Sequence, residues 1–338
     1  MERVDASRID RVKKKRSRKW IFRVLIIICI GVMGVGGYFA SQIWGAFAQG
    51  HDSNSKISGL RDEEVKIKEE PFTIMLLGVD QLSTEEEKES WRPDVIMIAA
   101  INPKTNSMKL VSIPRDTLVH IANTKGKDKI NSAASYGRLK NVDGVENTRQ
   151  TVEEFLNIPI DYYAKINFQG FIDVVDALGG VDVNNKFYFS TQSHTGDPLR
   201  YSPGPLHLDG EKALAYVRMR KKDINGDMGR NERQRDVVNK LIDQMISFEG
   251  FTKFNDVATA VGENLSYSFK PTDIPSLQKT YSNIPKQNTE SIELKTYSDK
   301  QNGIFYEICS QEERIRVSDL LQKHLEYTPK EPMKLNDY

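Results

Sequence analysis

Three observations predict an α/β chain, in which a central mixed β-sheet is covered by helices on both faces (an αβα sandwich) and preceded by one N-terminal transmembrane helix. From Phe72 onward, short apolar runs closed by Gly, Pro, Asn or Asp alternate with segments whose apolar residues recur every three or four positions. Before them, Val24 to Ala40 is an uninterrupted apolar run that continues to Phe47. The chain has two cysteines, Cys29 in that run and Cys309 near the far end, so no disulfide framework is available and the domain must hold together by its core.

The elements follow in order. Residues 1–20 form a basic tail that reads as cytoplasmic, with Lys13, Lys14, Lys15, Arg16, Arg18 and Lys19. Residues 21–47 supply the about 20 mostly apolar positions that a bilayer crossing needs. A cationic flank stays inside, which places everything after Gln49 on the outer face of a membrane. A cleaved signal peptide is the alternative, against which stand the length of the apolar region and the lack of a clear cleavage site after it. Residues 48–70 are polar and read as a stalk, and residues 71–330 as the extracellular domain.

Within the domain, Phe72 to Val79, Val95 to Ile101 and Met108 to Ile113 read as buried strands, with a very acidic loop, Ser83 to Ser90, between the first two. Asn131 to Tyr136 and Thr148 to Leu156 have helical spacing, and Ile160 to Ile166 alternates as a strand. Phe168 to Leu178 is a helix ended by Gly179-Gly180. Ser190 to Pro205 is rich in Gly and Pro and reads as loop. Asp209 caps a short helix through Tyr216, and Asp227 opens a long one to about Phe248. Ile292 to Thr296 and Ile304 to Ile308 are the best strands in the remainder, which is expected to complete the same domain.

Charge excludes one class of function. Of 48 Lys/Arg and 47 Asp/Glu, residues 1–23 hold ten and three, which leaves an acidic remainder of 38 and 44. The basic excess belongs to the anchor, where anionic lipid is the partner; it is no nucleic-acid footprint on the domain.

Five features carry chemistry. Asp80 follows the first strand, and strand carboxyl ends border ligand crevices in open α/β sheets. Asp94, in Arg92-Pro93-Asp94, precedes the second strand, and Arg115-Asp116 follows the third. Arg218 and Arg220, one residue apart, share a side if extended. On the long helix, Val237, Val238, Leu241, Ile242 and Met245 define the buried face. Gln234 falls in its middle, Arg230 lies on it, and Arg233 and Arg235 fall at its margins. A buried guanidinium without a partner is costly, and an anion in a cavity would satisfy it. Arginines suit bidentate phosphate contacts, and a carboxylate pair suits Mg²⁺ that shares phosphate oxygens. Together they suggest a pyrophosphate–Mg²⁺ site. Each feature also has a plain counterpart: Asp94 as a turn cap, Arg115 with Asp116 as a surface ion pair, Arg218 and Arg220 as solvated charges, Arg233 and Arg235 paired with Glu232 and Asp236.

The segments "LLGVD", "RPD", "INPKT", "LVSIPRDT", "DKINSAASYG", "DALGGVDV", "LDGEKALAYVRMRK" and "GDMGRNERQRDVV", in that order within residues 72–246, resemble the LytR–CpsA–Psr family, and most closely its membrane-anchored enzymes of Gram-positive bacteria. The resemblance implies a phosphotransferase. It would move an anionic glycopolymer, of wall teichoic acid or capsule type, from undecaprenyl-pyrophosphate to the C6 hydroxyl of N-acetylmuramic acid in peptidoglycan, leaving a phosphodiester. It implies metal carboxylates at Asp80 and Asp94, with Mg²⁺ (or Mn²⁺) as cofactor, and pyrophosphate contacts from Arg115, Arg218, Arg220, Arg230 and Gln234. Arg115, Arg218, Arg220 and Asp80 are the implied catalytic set, Asp80 also serving to deprotonate the acceptor. A long apolar tunnel for the polyprenyl tail is implied as well. One departure stands out: many members carry an arginine just after the first aspartate, where this chain has Gln81-Leu82 and then Glu85, Glu86 and Glu87. Arg92 is the replacement at hand. The alternative reading is a non-catalytic, membrane-tethered sensor of polyprenyl-pyrophosphate-linked precursors.

Overall fold

The structure, a computed structural model, describes residues 50–81, 91–220, 222–223, 226–246 and 261–333. The expected membrane helix and the acidic loop lie outside these residues, and among the described residues no helix is long and apolar enough to cross a membrane.

The strands and helices run in the order β1 (Phe72–Val79), β2 (Pro93–Asn102), β3 (Ser107–Ser112), β4 (Leu118–His120), β5 (Lys127–Lys129), α1 (Ala133–Leu139), α2 (Gly144–Leu156), β6 (Tyr162–Ile166), α3 (Phe168–Leu178), β7 (Val181–Asn185), β8 (Phe189–Gln192), β9 (Pro198–Tyr201), β10 (Gly204–Leu208), α4 (Gly210–Arg218), α5 (Gly226–Ile246), β11 (Leu265–Tyr267), α6 (Ile274–Ser282), β12 (Thr289–Ile292), β13 (Tyr297–Gln301), β14 (Ile304–Ile308) and α7 (Gln311–His324). Six strands make the central sheet in the order β11-β6-β1-β2-β3-β12. It is mixed: β6 runs parallel to β1 and β12 parallel to β3, while β1–β2, β2–β3 and β6–β11 are antiparallel.

The two-residue repeat of the strands divides their side chains between two cores. Met75 and Leu77 of β1, Ile96 and Ile98 of β2 and Val111 of β3 pack with Val152, Phe155 and Leu156 of α2 and Val317 and Leu321 of α7. The intervening residues Phe72, Ala99, Ile101, Met108 and Leu110 face the other way, against Leu277 and Tyr281 of α6. Both faces are therefore covered by helices, as the apolar runs demanded. A third core joins α3, β7 to β10, α4 and α5, through Val175, Leu178, Tyr201, Tyr216, Val237 and Leu241.

Local chemistry sets the helix ends. The Asn167 side chain accepts from Gly170 N at the start of α3, and Gly179, at φ 89°, closes it in the left-handed conformation. Asp209 caps α4 by accepting from Lys212 N.

Three segments differ from the sequence reading. Ser190 to Pro205, read as loop, contributes to the β8–β9 hairpin and to β10 beside β7, held by stacking of Phe189 on Tyr201 with centroids 4.5 Å apart. The strand read at Ile292 to Thr296 lies earlier, at Thr289–Ile292, where it pairs in register with Met108 to Val111. Residues 51–70, read as a stalk, form a strap along the domain. Ser58 Oγ donates to Glu153 Oε1 at 2.5 Å, Arg61 Nε reaches Asp161 Oδ1 at 2.9 Å, and Ile67 is buried in the α6-side core. Two of its polar side chains, Ser58 and Arg61, thus meet buried carboxylates of the domain, while most of the strap's other polar residues are exposed. Residues after 260 join the same domain: β11 and β12 are the two edges of its sheet, and Arg314 of α7 donates to Phe155 O and Glu154 O of α2.

Candidate active site

The register places several chain segments at one end of the sheet. β1 and β6 finish there together, Gly78 opposite Ile166, and β2 begins there, Pro93 opposite Val79. β3 and β12 finish there as well, Val111 opposite Ile292.

Asp80 follows β1, and Asp94 is the second residue of β2. Burial and, next, the Asp94 charge push the Asp80 carboxyl above its ordinary range, while Arg218 and Arg115 pull it back. These four groups therefore act on one another. Asp94 accepts a hydrogen bond from Arg115 Nη1, so the plain reading of Asp94 as a turn cap does not describe it. Arg115 Nε lies 3.6 Å from Asp116 Oδ2, and Asp116 in turn accepts from Lys129 Nζ at 2.7 Å. A chain of alternating charge thus runs from Asp94 through Arg115 and Asp116 to Lys129.

Arg218, the last residue of α4, is exposed and lies over the Phe168 ring, its Cζ 4.2 Å from the centroid. Phe168 N donates to Gln81 O at 3.0 Å. The residue that carries the Arg218 guanidinium is thus tied to the residue after Asp80. Arg220 is exposed in the segment that follows.

α5 secures that segment. Arg233 Nε donates to Tyr216 O at 3.2 Å, its Nη2 to Met219 O and its Nη1 to Asp223 Oδ2. Gln234 Nε2 donates to Val217 O at 3.4 Å. Carbonyls at a helix C-terminus lack intrahelical partners, and here α5 side chains satisfy them. Gly229 has a packing reason to be glycine, since a Cβ there would run into the Asp223 carboxylate. Arg230 and Gln234 are both buried, as the helix face required. Arg233 is buried too, and it pairs with Asp223 rather than with Glu232 or Asp236, which pair with Lys186 and Lys240. Arg92 is exposed, and its charge acts on Tyr136 of α1.

The structure brings Asp80, Asp94, Arg115 and Arg218 together, with Arg220 close in sequence to Arg218. It gives Gln234 a partner in the α4 backbone. Phe168, Lys129 and Asp223 were not singled out as functional in the sequence, and Arg233 was placed there only within the arginine-rich start of the long helix, with no role of its own. The signal for Arg233 was its place at the margin of the buried face; Asp223, ten residues away, gave none. The donor set suits one hard cation. Two mutually repelling carboxylates gain from a shared positive charge, and Mg²⁺ takes one or two protein carboxylates plus phosphate oxygens. Among the described residues, no group of three or more His, Cys, Asp or Glu is arranged to hold a metal, so a closed protein cage is not what they offer.

The LytR_cpsA_psr family model matches residues 42–323. The chain belongs to the LytR–CpsA–Psr family. A polyisoprenyl-teichoic acid–peptidoglycan teichoic acid transferase, TagU of Bacillus cereus, is 38% identical over 322 residues, covering 93% of this chain and 99% of its own. The crystal structure of Bacillus subtilis TagV superposes with a TM-score of 0.68 at 37% identity, over 78% of this chain and all (100%) of that one. TagT bound to LIIa-WTA superposes with a TM-score of 0.66 at 31% identity, over 82% of this chain and 99% of that one. The LytR–CpsA–Psr match contains every candidate site residue and runs on through β14 into α7, so the C-terminal part belongs to the family domain.

Proposed function

We infer that this chain transfers a polyisoprenyl-linked teichoic acid to peptidoglycan. The observation that carries the reading is the convergence of Asp80, Asp94, Arg115 and Arg218 at one end of the sheet. Its chemistry suits a pyrophosphate: arginines for the oxygens, carboxylates for a shared cation. The transferase names of relatives that match over nearly their full length point the same way.

In the finer reading the donor is undecaprenyl-pyrophosphate-linked. The C6 hydroxyl oxygen of N-acetylmuramic acid bonds to the glycan-side phosphorus, the bridging P–O bond breaks, and undecaprenyl phosphate leaves with the electron pair. Arg115, Arg218 and Arg220 hold the oxygens on which charge builds, the main catalytic requirement in phosphoryl transfer. Arg230 and Gln234 back them from α5, and Arg92 lies beyond Asp94. Asp80, whose raised pKa makes it a better base than an ordinary carboxylate, takes the hydroxyl proton. When bound at Asp80 and Asp94, Mg²⁺ supplies further neutralisation of phosphate charge. The domain works on the outer face of the membrane, with the N-terminus inside and residues 21–47 as the anchor.

The test is transfer by the full chain in lipid nanodiscs, with an undecaprenyl-pyrophosphate-linked glycan and a peptidoglycan oligomer, followed by mass spectrometry. A metal-dependent adduct that is lost in Arg218→Ala and Arg220→Ala is expected. Full activity in both variants overturns the site, and donor binding without any adduct overturns the transferase reading in favour of a sensor.

A further inference from the structure

One arginine of α5 has no part in the site above. Arg235 is half-buried, and among the described residues it has no hydrogen-bond or ion-pair partner. Its side chain lines a cavity of about 330 Å³ with Ser112, Pro114, Glu293, Lys295 and Thr296. Burial weakens the hold of the guanidinium on its proton, and only the nearby charges of Glu293 and Glu232 oppose this.

Several features of the cavity point to an anion. The half-buried guanidinium has no acceptor among the described residues, and an anion entering the cavity from solvent would supply one. Lys295 adds a second positive charge at the wall, beside Glu293. The place is also informative. Pro114 immediately precedes Arg115, and residues 293–296 follow β12, the strand beyond β3. β12 lies two strands from β2, which carries Asp94, so the cavity is displaced along the row of strand ends by roughly 10 Å.

We propose that this cavity is a second anion subsite, in which Arg235 and Lys295 hold a phosphate or carboxylate borne on a saccharide whose reacting end lies at Asp80 and Asp94. The assignment to a saccharide rests on the transferase reading; anion binding at Arg235 does not. Two substrates could present such a group, a phosphate of the donor polymer or a carboxylate of a muramyl peptide acceptor.

The test is calorimetric titration of the full chain in nanodiscs with two lipid-free probes, a short poly(glycerol phosphate) and a muramyl peptide with free carboxylates. Arg235→Gln is expected to weaken one probe about tenfold, Arg235→Lys to restore most of the affinity, and Arg218→Ala to leave that probe within about twofold. Loss confined to poly(glycerol phosphate) assigns the subsite to the donor, and loss confined to the muramyl peptide assigns it to the acceptor. Unchanged affinity for both probes in Arg235→Gln, with an unchanged melting temperature, overturns the proposal. These readouts stand whether or not the chain turns over, so a failure of the transferase reading registers separately.

Discussion

The guanidinium of Arg218 rests on the ring of Phe168, 4.2 Å from its centre, while the Phe168 amide is bonded to the carbonyl of Gln81, the residue after Asp80. One aromatic residue thus fixes a cation of the helical layer relative to a carboxylate of the sheet. Phe168→Leu keeps the apolar volume among Ile172 and Leu214 but removes the ring face. Exposed cation–π contacts contribute about 0.5–1 kcal/mol, so kcat/KM should fall about two- to fivefold with little change in melting temperature. Steady-state kinetics beside a thermal melt checks this; a variant with unchanged kinetics shows that Arg218 is placed by its backbone alone.

Arg233 and Asp223 form a buried pair, their side chains 9% and 3% exposed. Arg233→Met would take the charged donor from the Asp223 carboxylate and from the Tyr216 and Met219 carbonyls. Loss of one partner of a buried pair costs about 3–5 kcal/mol, measurable as a lower urea midpoint. Transfer should also be lost at urea concentrations where the sheet is still folded, because the α4 end that carries Arg218 is no longer held.

Asp80 offers a prediction with a definite sign. Its folded pKa is raised above the ordinary 3.8, so its contribution to stability is fully present below that value and is lost as pH rises through the folded pKa. Without divalent cation, Asp80→Asn should therefore melt higher than the native chain at neutral pH, and the two should converge in acid. Added Mg²⁺ should raise the melting temperature of the native chain and not that of Asp80→Asn. A native chain that melts no lower than Asp80→Asn would show that Asp80 is not under repulsion.

The strap makes a further prediction. Arg61 bonds Asp161, whose side chain is 4% exposed and also accepts from Thr73 N at 2.9 Å. Arg61→Met leaves that carboxylate with fewer donors and should cost about 1–3 kcal/mol, read by urea unfolding. A free stalk would show no cost.

Cys309 is buried, and its thiol is pushed up to about 12 by burial first and Glu313 next. The thiolate is the reactive form, so a thiol reagent at pH 8 should label the domain only as fast as it opens. Labelling at the rate of a free thiol would contradict this.

What the sequence showed and what it hid have separate causes. Phe72 to Val79, Phe168 to Leu178 and Ile304 to Ile308 were legible to the residue because apolar period and end signals coincide there. Asp80, Asp94, Arg115 and Arg218 were legible because each flanks a well-marked element. The β8–β9 hairpin was not, since its strands are short and its support is the Phe189–Tyr201–Tyr216 cluster, whose contacts lie between separate elements rather than within one. Nor were the Arg233–Asp223 pair, the burial of the strap and the cavity at Arg235, because charge in a sequence does not say which partner it meets.

The third core gives the site a property that its separate residues do not. Arg218 ends α4, which packs in that core, and Arg220 follows it, whereas Asp80, Asp94 and Arg115 ride on the sheet. On the proposed function, a pyrophosphate between them would be a tie across a seam. Transfer would divide that doubly charged group between two molecules, and neither product would bridge the seam as the donor did. Product release would in this way be built into the chemistry: the bond that breaks would also be the link that held the two layers to one ligand.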